Sequence, residues 1–199
     1  MKIGVLGMGN IGGTIGRKWQ AAGHEVTFGV RNPQDRPASD GACVTSVADA
    51  IGGADALLLA VPGGTVEDLL KANASALDGR LIVDATNRIG GDSFHQLHLF
   101  DDLVPSASVY RAFNTLGWEN FENPELGGER ADLFFAGPDD AGRQTVEGLI
   151  SDVGLRPIYV GSGTDAVQVV DGVARLWFAL AFGQKRGRRL AFRVLEESG

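Results

Sequence analysis

The segment Gly7-Met8-Gly9-Asn10-Ile11-Gly12 follows a short apolar run, Lys2-Ile3-Gly4-Val5-Leu6, and leads straight into a helical pattern. A strand, a three-glycine turn and a helix in that order make a socket for the pyrophosphate of a dinucleotide. Gly7 makes the tight turn, Gly9 lets the backbone approach the phosphates, and Gly12 lets the helix pack closely on the strand. The helix then aims its free N–H groups and the positive end of its dipole at the anion. A merely tight strand–helix turn would not need all three glycines together.

The rest of the chain repeats the alternation. The first helix carries Ile11, Ile15, Trp19 and Ala22 on one face and stops at Gly23. Val26 to Val30 reads as a second strand, followed by a polar loop over residues 33–41 with two prolines. Ala42 to Thr45 reads as a third strand, with Ser46 capping a short helix. Ala56 to Val61 is a continuous apolar run, the mark of a strand covered on both faces. Thr65 is expected to cap the next helix, with Asp68 as its capping-box partner. Further strands are expected at Leu81–Asp84, Ser108–Ala112, Leu133–Ala136 and Pro157–Val160, with a helix over Asp139–Val153. Such an order predicts an α/β fold, a Rossmann-type doubly wound and mostly parallel sheet. A last helix, about Asp165 to Ala181, is apolar almost all round, so the sheet, a partner chain or both must cover it. The expectation is an NADP-binding Rossmann domain over residues 1–165. Residues 166–199 would be a C-terminal helical segment packed on that domain or at a homodimer interface.

Bulk composition excludes several classes. With 199 residues, 44% apolar and 22% charged, the chain fits one sizeable globular domain. A net charge of −7 argues against a general nucleic-acid binder, and the single cysteine, Cys43, excludes an intrachain disulfide. No uncharged apolar run is long enough to span a bilayer, so a cytoplasmic protein without membrane contact is expected. His24, His95 and His98 have no carboxylate cluster that would complete a metal site.

The dinucleotide is narrowed by what ends the second strand. An NAD site places an acid about 20 residues past the last glycine, whereas this strand runs out in Val30-Arg31-Asn32-Pro33. Arg31 can form paired hydrogen bonds to a 2′-phosphate that a carboxylate would repel, which predicts NADP. A solvated strand-end arginine is the plainer alternative, and Arg36 is a possible helper. Ligands of open parallel sheets lie outside the carboxyl ends of the strands. There the chain offers Val61-Pro62-Gly63, Asp84-Ala85-Thr86-Asn87 and Ala112-Phe113-Asn114-Thr115. Thr86, Asn87, Asn114 and Thr115 can donate to ribose hydroxyls, a carboxamide or a substrate carbonyl. Asp84 reads more readily as a turn residue than as a base. Lysines stand only at positions 2, 18, 71 and 185, so the chemistry expected is one needing little side-chain acid–base help. Hydride transfer between two stacked redox rings fits that description.

Taken in order, the glycine turn, Phe28-Gly29-Val30-Arg31-Asn32-Pro33, Val83-Asp84-Ala85-Thr86-Asn87 and Arg111-Ala112-Phe113-Asn114-Thr115 resemble the NADPH-dependent reductases of the deazaflavin coenzyme F420. The related reductase domain of the STEAP metalloreductases shares the pattern, and Ala112-Phe113-Asn114-Thr115 is nearer to that type. The resemblance implies hydride transfer between NADP (NADPH) and a small-molecule acceptor: coenzyme F420, FMN or FAD. It implies that Gly9, Asn10 and Ile11 hold the pyrophosphate, with Gly7, Met8 and Gly12 in the same cofactor-binding turn, and that Arg31 with Asn32 holds the 2′-phosphate. Val61, Pro62 and Asn87 would flank the nicotinamide side. Asn114 and Thr115 would lie by the reacting rings as the catalytic pair, with Phe113, Leu116 and Trp118 against the second substrate. Trp118 and Phe121 would cover the second ring, unless they are ordinary packing. Alternatives are a flavin-mediated ferric or cupric reductase and a non-catalytic NADP-binding module. The basic run Lys185, Arg186, Arg188, Arg189 and Arg193 reads either as a solvated helix end or as a holder of an anionic tail.

Overall fold

In a computed structural model that describes residues 1–35 and 41–197, the apolar runs stack into one sheet and the amphipathic stretches cover it. In chain order the elements are β1 (Lys2–Leu6), α1 (Asn10–Ala21), β2 (Glu25–Val30), β3 (Cys43–Ser46), α2 (Val47–Gly52) and β4 (Ala56–Leu59). Then come α3 (Val66–Leu77), β5 (Leu81–Asp84), α4 (Leu97–Leu103), β6 (Ser108–Arg111) and α5 (Trp118–Glu122). A small hairpin, β7 (Glu125–Leu126) and β8 (Glu129–Arg130), precedes β9 (Asp132–Ala136), α6 (Ala141–Asp152), β10 (Arg156–Gly161) and α7 (Gly163–Phe178).

The sheet has eight strands in the order β10-β9-β6-β5-β4-β1-β2-β3. The six from β3 to β6 are mutually parallel, with Ile3 level with Val26 on one side and Ala56 on the other. β9 meets β6 antiparallel and β10 runs parallel to β9. The reversal follows from the connection: between β6 and β9 the chain passes through α5 and the hairpin instead of a right-handed crossover. Alternate residues of the central strands feed two cores. Ile3, Val5, Leu58 and Val83 join α1 and α6 through Ile15, Trp19, Val146 and Ile150. Leu6, Leu57, Leu59 and Ile82 join α2, α3 and α4 through Ile51, Leu70 and Phe100. The Rossmann-type α/β expectation therefore holds, with helices on both faces of a mostly parallel sheet.

Local chemistry explains where elements stop. Gly23 takes φ +94° just past α1, a conformation that favours glycine. The Ser46 hydroxyl accepts from the Asp49 backbone N–H as an N-cap. Thr65 departs from its expected role. Its hydroxyl donates to the Pro62 carbonyl at 2.8 Å and closes a short turn, so it does not cap α3. α7 packs on β9 and β10 through Ala166, Val167 and Val170. Its opposite side leaves Val169 and Leu176 about half exposed, at 55% and 49%. Counted with the turn that follows it, Gly163–Gly183 is long and apolar enough to cross a membrane by length and composition, with 39% of that window buried in this fold.

Packing at the first turn is close enough to test. A Cβ on Gly12 would lie 2.1 Å from the Gly7 carbonyl oxygen, a backbone atom that cannot swing aside. Gly12→Ala is expected to cost about 1–3 kcal/mol in urea unfolding, the usual price of overpacking, whereas Gly9→Ala, which meets nothing within 4 Å, should cost well under half as much.

Candidate active site

The glycine turn sits at the switch point of the sheet, where β1 leaves β2 on one side and β4 on the other. Ligands of such sheets bind outside the strand ends at that position. Gly7 adopts φ +105°, and any side chain there would strike the Ala60 carbonyl at 2.5 Å. Gly9 precedes α1 as its N-cap without any side-chain hydrogen bond, and the first backbone bond runs from Gly13 N to Gly9 O at 2.8 Å. No acidic residue occupies the first turn of α1. The amides there are thus left for an anion, and the open space over Gly9 is where it fits.

Two grooves run from this turn. One, about 660 Å³, is lined by Gly7, Met8, Val30, Arg31, Asn32 and the start of α3. The other, about 340 Å³, is lined by Gly9, Asn10, Ile11, Thr86, Asn87, Asn114 and an aromatic wall. Val61 and Pro62 belong to both and join them across the turn. Arg31 is exposed at the first groove, while the Asn32 amide donates to the Asp35 carboxylate at 3.0 Å. Asp35 also lines this groove, an acid that the strand-end rule did not anticipate. Arg36 lies outside the described residues.

Most of the expected site residues gather here, and several do not. Gly7, Met8, Gly9, Asn10, Ile11, Arg31, Asn32, Val61, Pro62, Asn87, Asn114, Leu116 and Trp118 line one groove or both. Gly12 lies beneath the turn as packing. Phe113 is corrected: it takes φ +59°, and its fully buried ring stands edge-on to Trp19 and Phe121 at 6.0 and 5.6 Å. The left-handed backbone turns the ring into the core, so it does not reach the second groove. Phe121 is core as well, fully buried on α5. Thr115 is buried, and its hydroxyl lines neither groove and has no partner among the described residues.

Beneath the second groove lies a polar cluster centred on Arg111, a fully buried side chain at the end of β6. Its Nη1 donates to Asp84 Oδ2 at 2.9 Å and to the Thr86 carbonyl. Its Nε and Nη2 reach Asp171 Oδ1 of α7 at 3.0 and 2.9 Å. Nη2 also donates to Asn87 Oδ1 at 2.7 Å. The Asn114 amide donates to Asp171 Oδ1 at 3.0 Å, and the Asn87 amide donates to the Asn114 carbonyl at 3.2 Å. Arg111 thus orients two groove residues without lining the groove. Sequence reasoning gave Arg111 no role and missed Asp171; the available signal was one acid on the inner face of an apolar helix. Asp84, weighed as a possible base, is held by Arg111, the Thr86 N–H and the Thr86 hydroxyl.

The aromatic wall comes from the C-terminal segment. Trp177, Phe178 and Arg188 line the second groove with Trp118. Three members of the basic run, Arg188, Arg189 and Arg193, are engaged by the fold. Arg188 pairs with Glu119 at 2.5 Å, and Arg189 donates to the Glu119, Asn123 and Glu125 carbonyls. Trp177 Nε1 donates to Leu190 O at 2.8 Å, and the Asp132 N–H donates to Phe192 O at 3.0 Å. Residues 184–194 are therefore a strap bound over α5 and the edge of β9. Burial works against the charged Glu119, but the Arg188 hydrogen bond, a backbone hydrogen bond and the charges of Arg188 and Arg189 together outweigh it and hold the carboxyl below its usual range.

Comparison with known proteins agrees with this geometry. Residues 2–88 match the family described as NADP oxidoreductase coenzyme F420-dependent. The resemblance to the F420 reductases is borne out. Metalloreductase STEAP3 of Rattus norvegicus is 25% identical over 176 residues, 84% of this chain. The chain spans only 35% of that relative's length. Among solved structures, a candidate F420-dependent NADP-reductase of Arthrobacter sp. FB24 superposes with a TM-score of 0.82 at 25% identity. The match covers 98% of this chain and all of the other. A reductive aminase of Aspergillus terreus, solved with NADPH and ethyl levulinate, shares the fold at 18% identity. Its TM-score is 0.71 over 92% of this chain and 62% of its own. The chain is thus similar, in sequence and in fold, to NADP-dependent oxidoreductases.

The Arg111 cluster should be felt in stability. Asp171→Ala leaves Arg111 paired with Asp84 but removes the acceptor of the Arg111 Nε, Asn114 amide and His95 N–H donors, and guanidinium-chloride unfolding is expected to show a loss of about 1–3 kcal/mol, the cost of buried donors left unsatisfied; no loss would mean that these donors do not depend on it.

Proposed function

We propose that this chain is an NADPH-dependent reductase that passes a hydride to a flavin or deazaflavin ring. The carrying observation is the continuous path from Arg31, past the glycine turn, to the cleft walled by Trp118, Trp177 and Phe178. One end suits a 2′-phosphate, the middle suits a pyrophosphate, and the far end suits two flat rings in contact. When bound, the reduced nicotinamide supplies the hydride. The chain's own groups bind and orient: α1 amides hold the pyrophosphate, Arg31 with Asn32 holds the 2′-phosphate, and Val61 and Pro62 wall the ring. Asn87 and Asn114 fix polar edges in the cleft. Such a reaction asks for alignment and exclusion of water more than for a general acid, which suits a cleft without a free acid or base among its lining residues.

On this reading residues 1–165 supply the nucleotide-binding part, and the segment from 166 onward supplies the far wall. The likeness to STEAP3 supports a second reading, in which reduced flavin passes electrons on to ferric or cupric ions.

Calorimetry with NADPH and NADH tests the cofactor. The native chain is expected to prefer NADPH, and Arg31→Ala to lose about 10–100-fold in NADPH affinity with little change for NADH, the worth of a charge-assisted hydrogen-bond pair. Equal affinities before and after substitution would remove the 2′-phosphate assignment. NADPH oxidation assayed with coenzyme F420, FMN, FAD and ferric chelates then identifies the acceptor, and turnover with none of them would favour a non-catalytic NADP-binding module.

A further inference from the structure

We infer that the buried Asp84–Arg111–Asp171 cluster makes the cleft above it favour the oxidised dinucleotide over the reduced one, because it carries one surplus negative charge. The inference rests on the proposed nicotinamide site and goes beyond it to what that site discriminates.

The charge count comes from hydrogen-bond direction. Asp84 Oδ1 accepts from the Thr86 N–H and hydroxyl at 3.0 and 2.7 Å, and its Oδ2 accepts from Arg111 at 2.9 Å. Asp171 Oδ1 accepts from Arg111 and from the Asn114 amide, and its Oδ2 accepts from the His95 backbone N–H at 2.9 Å. Every one of these contacts is donated to a carboxylate oxygen, the pattern of two ionised acids. One guanidinium therefore faces two carboxylates, both nearly or fully buried. A surplus charge in the interior is costly for stability. A single aspartate would have neutralised Arg111.

Nearby groups do not cancel it. Arg188, the one cation lining the cleft among the described residues, is paired with Glu119. The His95 ring accepts the Leu97 N–H at Nδ1, and burial lowers its pKa, so it stays neutral at pH 7. Arg88 and Arg175 are exposed, where water screens them. The Asn114 amide is fixed by Asp171, which leaves its carbonyl oxygen buried without a partner among the described residues. That oxygen adds a dipole end of the same sign.

Thr86, Asn87 and Asn114 bond directly to this cluster and also line the cleft, so only one layer of side chains separates charge from ligand. The oxidised nicotinamide ring is a cation and the reduced ring is neutral, while the rest of the dinucleotide is identical in both. Their affinity ratio therefore isolates the interaction of ring charge with the cluster, which the low-dielectric interior screens weakly.

The test is calorimetric titration of the folded chain with NADP+ and NADPH, alongside D171N and N87D, with circular dichroism as the check on folding. D171N removes the surplus charge and keeps an acceptor for Arg111; the ratio of affinities, NADP+ over NADPH, is expected to fall on the order of tenfold. N87D adds a charge at the cleft wall and should move the same ratio the other way. A purely structural role would weaken both nucleotides alike in both variants, and an unmoved ratio, or a shift of the same sign in both, overturns the inference. If D171N does not fold, N87D alone decides by the direction of its shift. Failure of the native chain to bind either nucleotide would instead overturn the proposed function, and this inference with it.

Discussion

A guanidinium with no contact with solvent, Arg111, ties the end of β6 to two stretches far from it in sequence, residues 84–87 and α7. Its donors reach the end of β5 through Asp84, the loop after β5 through Thr86 and Asn87, and α7 through Asp171. A buried arginine is tolerable only if its charge is met and its donors are engaged, so these partners must come together for the fold to close. That requirement fixes where α7 crosses the sheet. It also fixes the floor of the cleft, because Asn87 and Asn114 take their orientations from the same cluster. The aromatic wall and the strap follow, since Trp177 lies on α7 and donates to the strap at Leu190.

The glycine turn and the strand end beside it were legible in the sequence because a pattern of residue types marks them. Gly12 answers to the Gly7 carbonyl five residues before it and Gly7 to its own positive φ as well as to the Ala60 carbonyl, while Arg31 answers to the end of one strand. The alternation of apolar runs and helical patterns was likewise enough for the parallel part of the sheet. What escaped depends on pairs distant in sequence. Asp171 looks like a stray polar residue until α7 is laid over Arg111, 60 positions earlier. Arg188 looks like part of a charge run until it meets Glu119, 69 positions away. Phe113 failed for a different reason. Its left-handed backbone inverts the direction of one side chain relative to Asn114, and no residue-type rule announces that for a phenylalanine.

Division of labour follows from these two kinds of determinant. The glycine turn and β2 are a general device for gripping a dinucleotide. The far wall of the cleft is built from α5, α7 and the strap, where Trp118, Trp177, Phe178 and Arg188 meet. All four lie outside residues 2–88, the part that matches the family. The exposed Val169 and Leu176 lie on the same helix, on the side turned away from the sheet.

The central claim is that one extended ligand lies across the switch point, from Arg31 to Asn114. Backbone amide NMR during titration with NADPH tests it most directly. The account predicts the largest shifts at Met8 to Gly12, with further shifts at Arg31, Asn32, Asn87 and Asn114. Shifts confined to the opposite end of the sheet, around Lys2, Gly53 and Arg80, or no shifts at all, would contradict it.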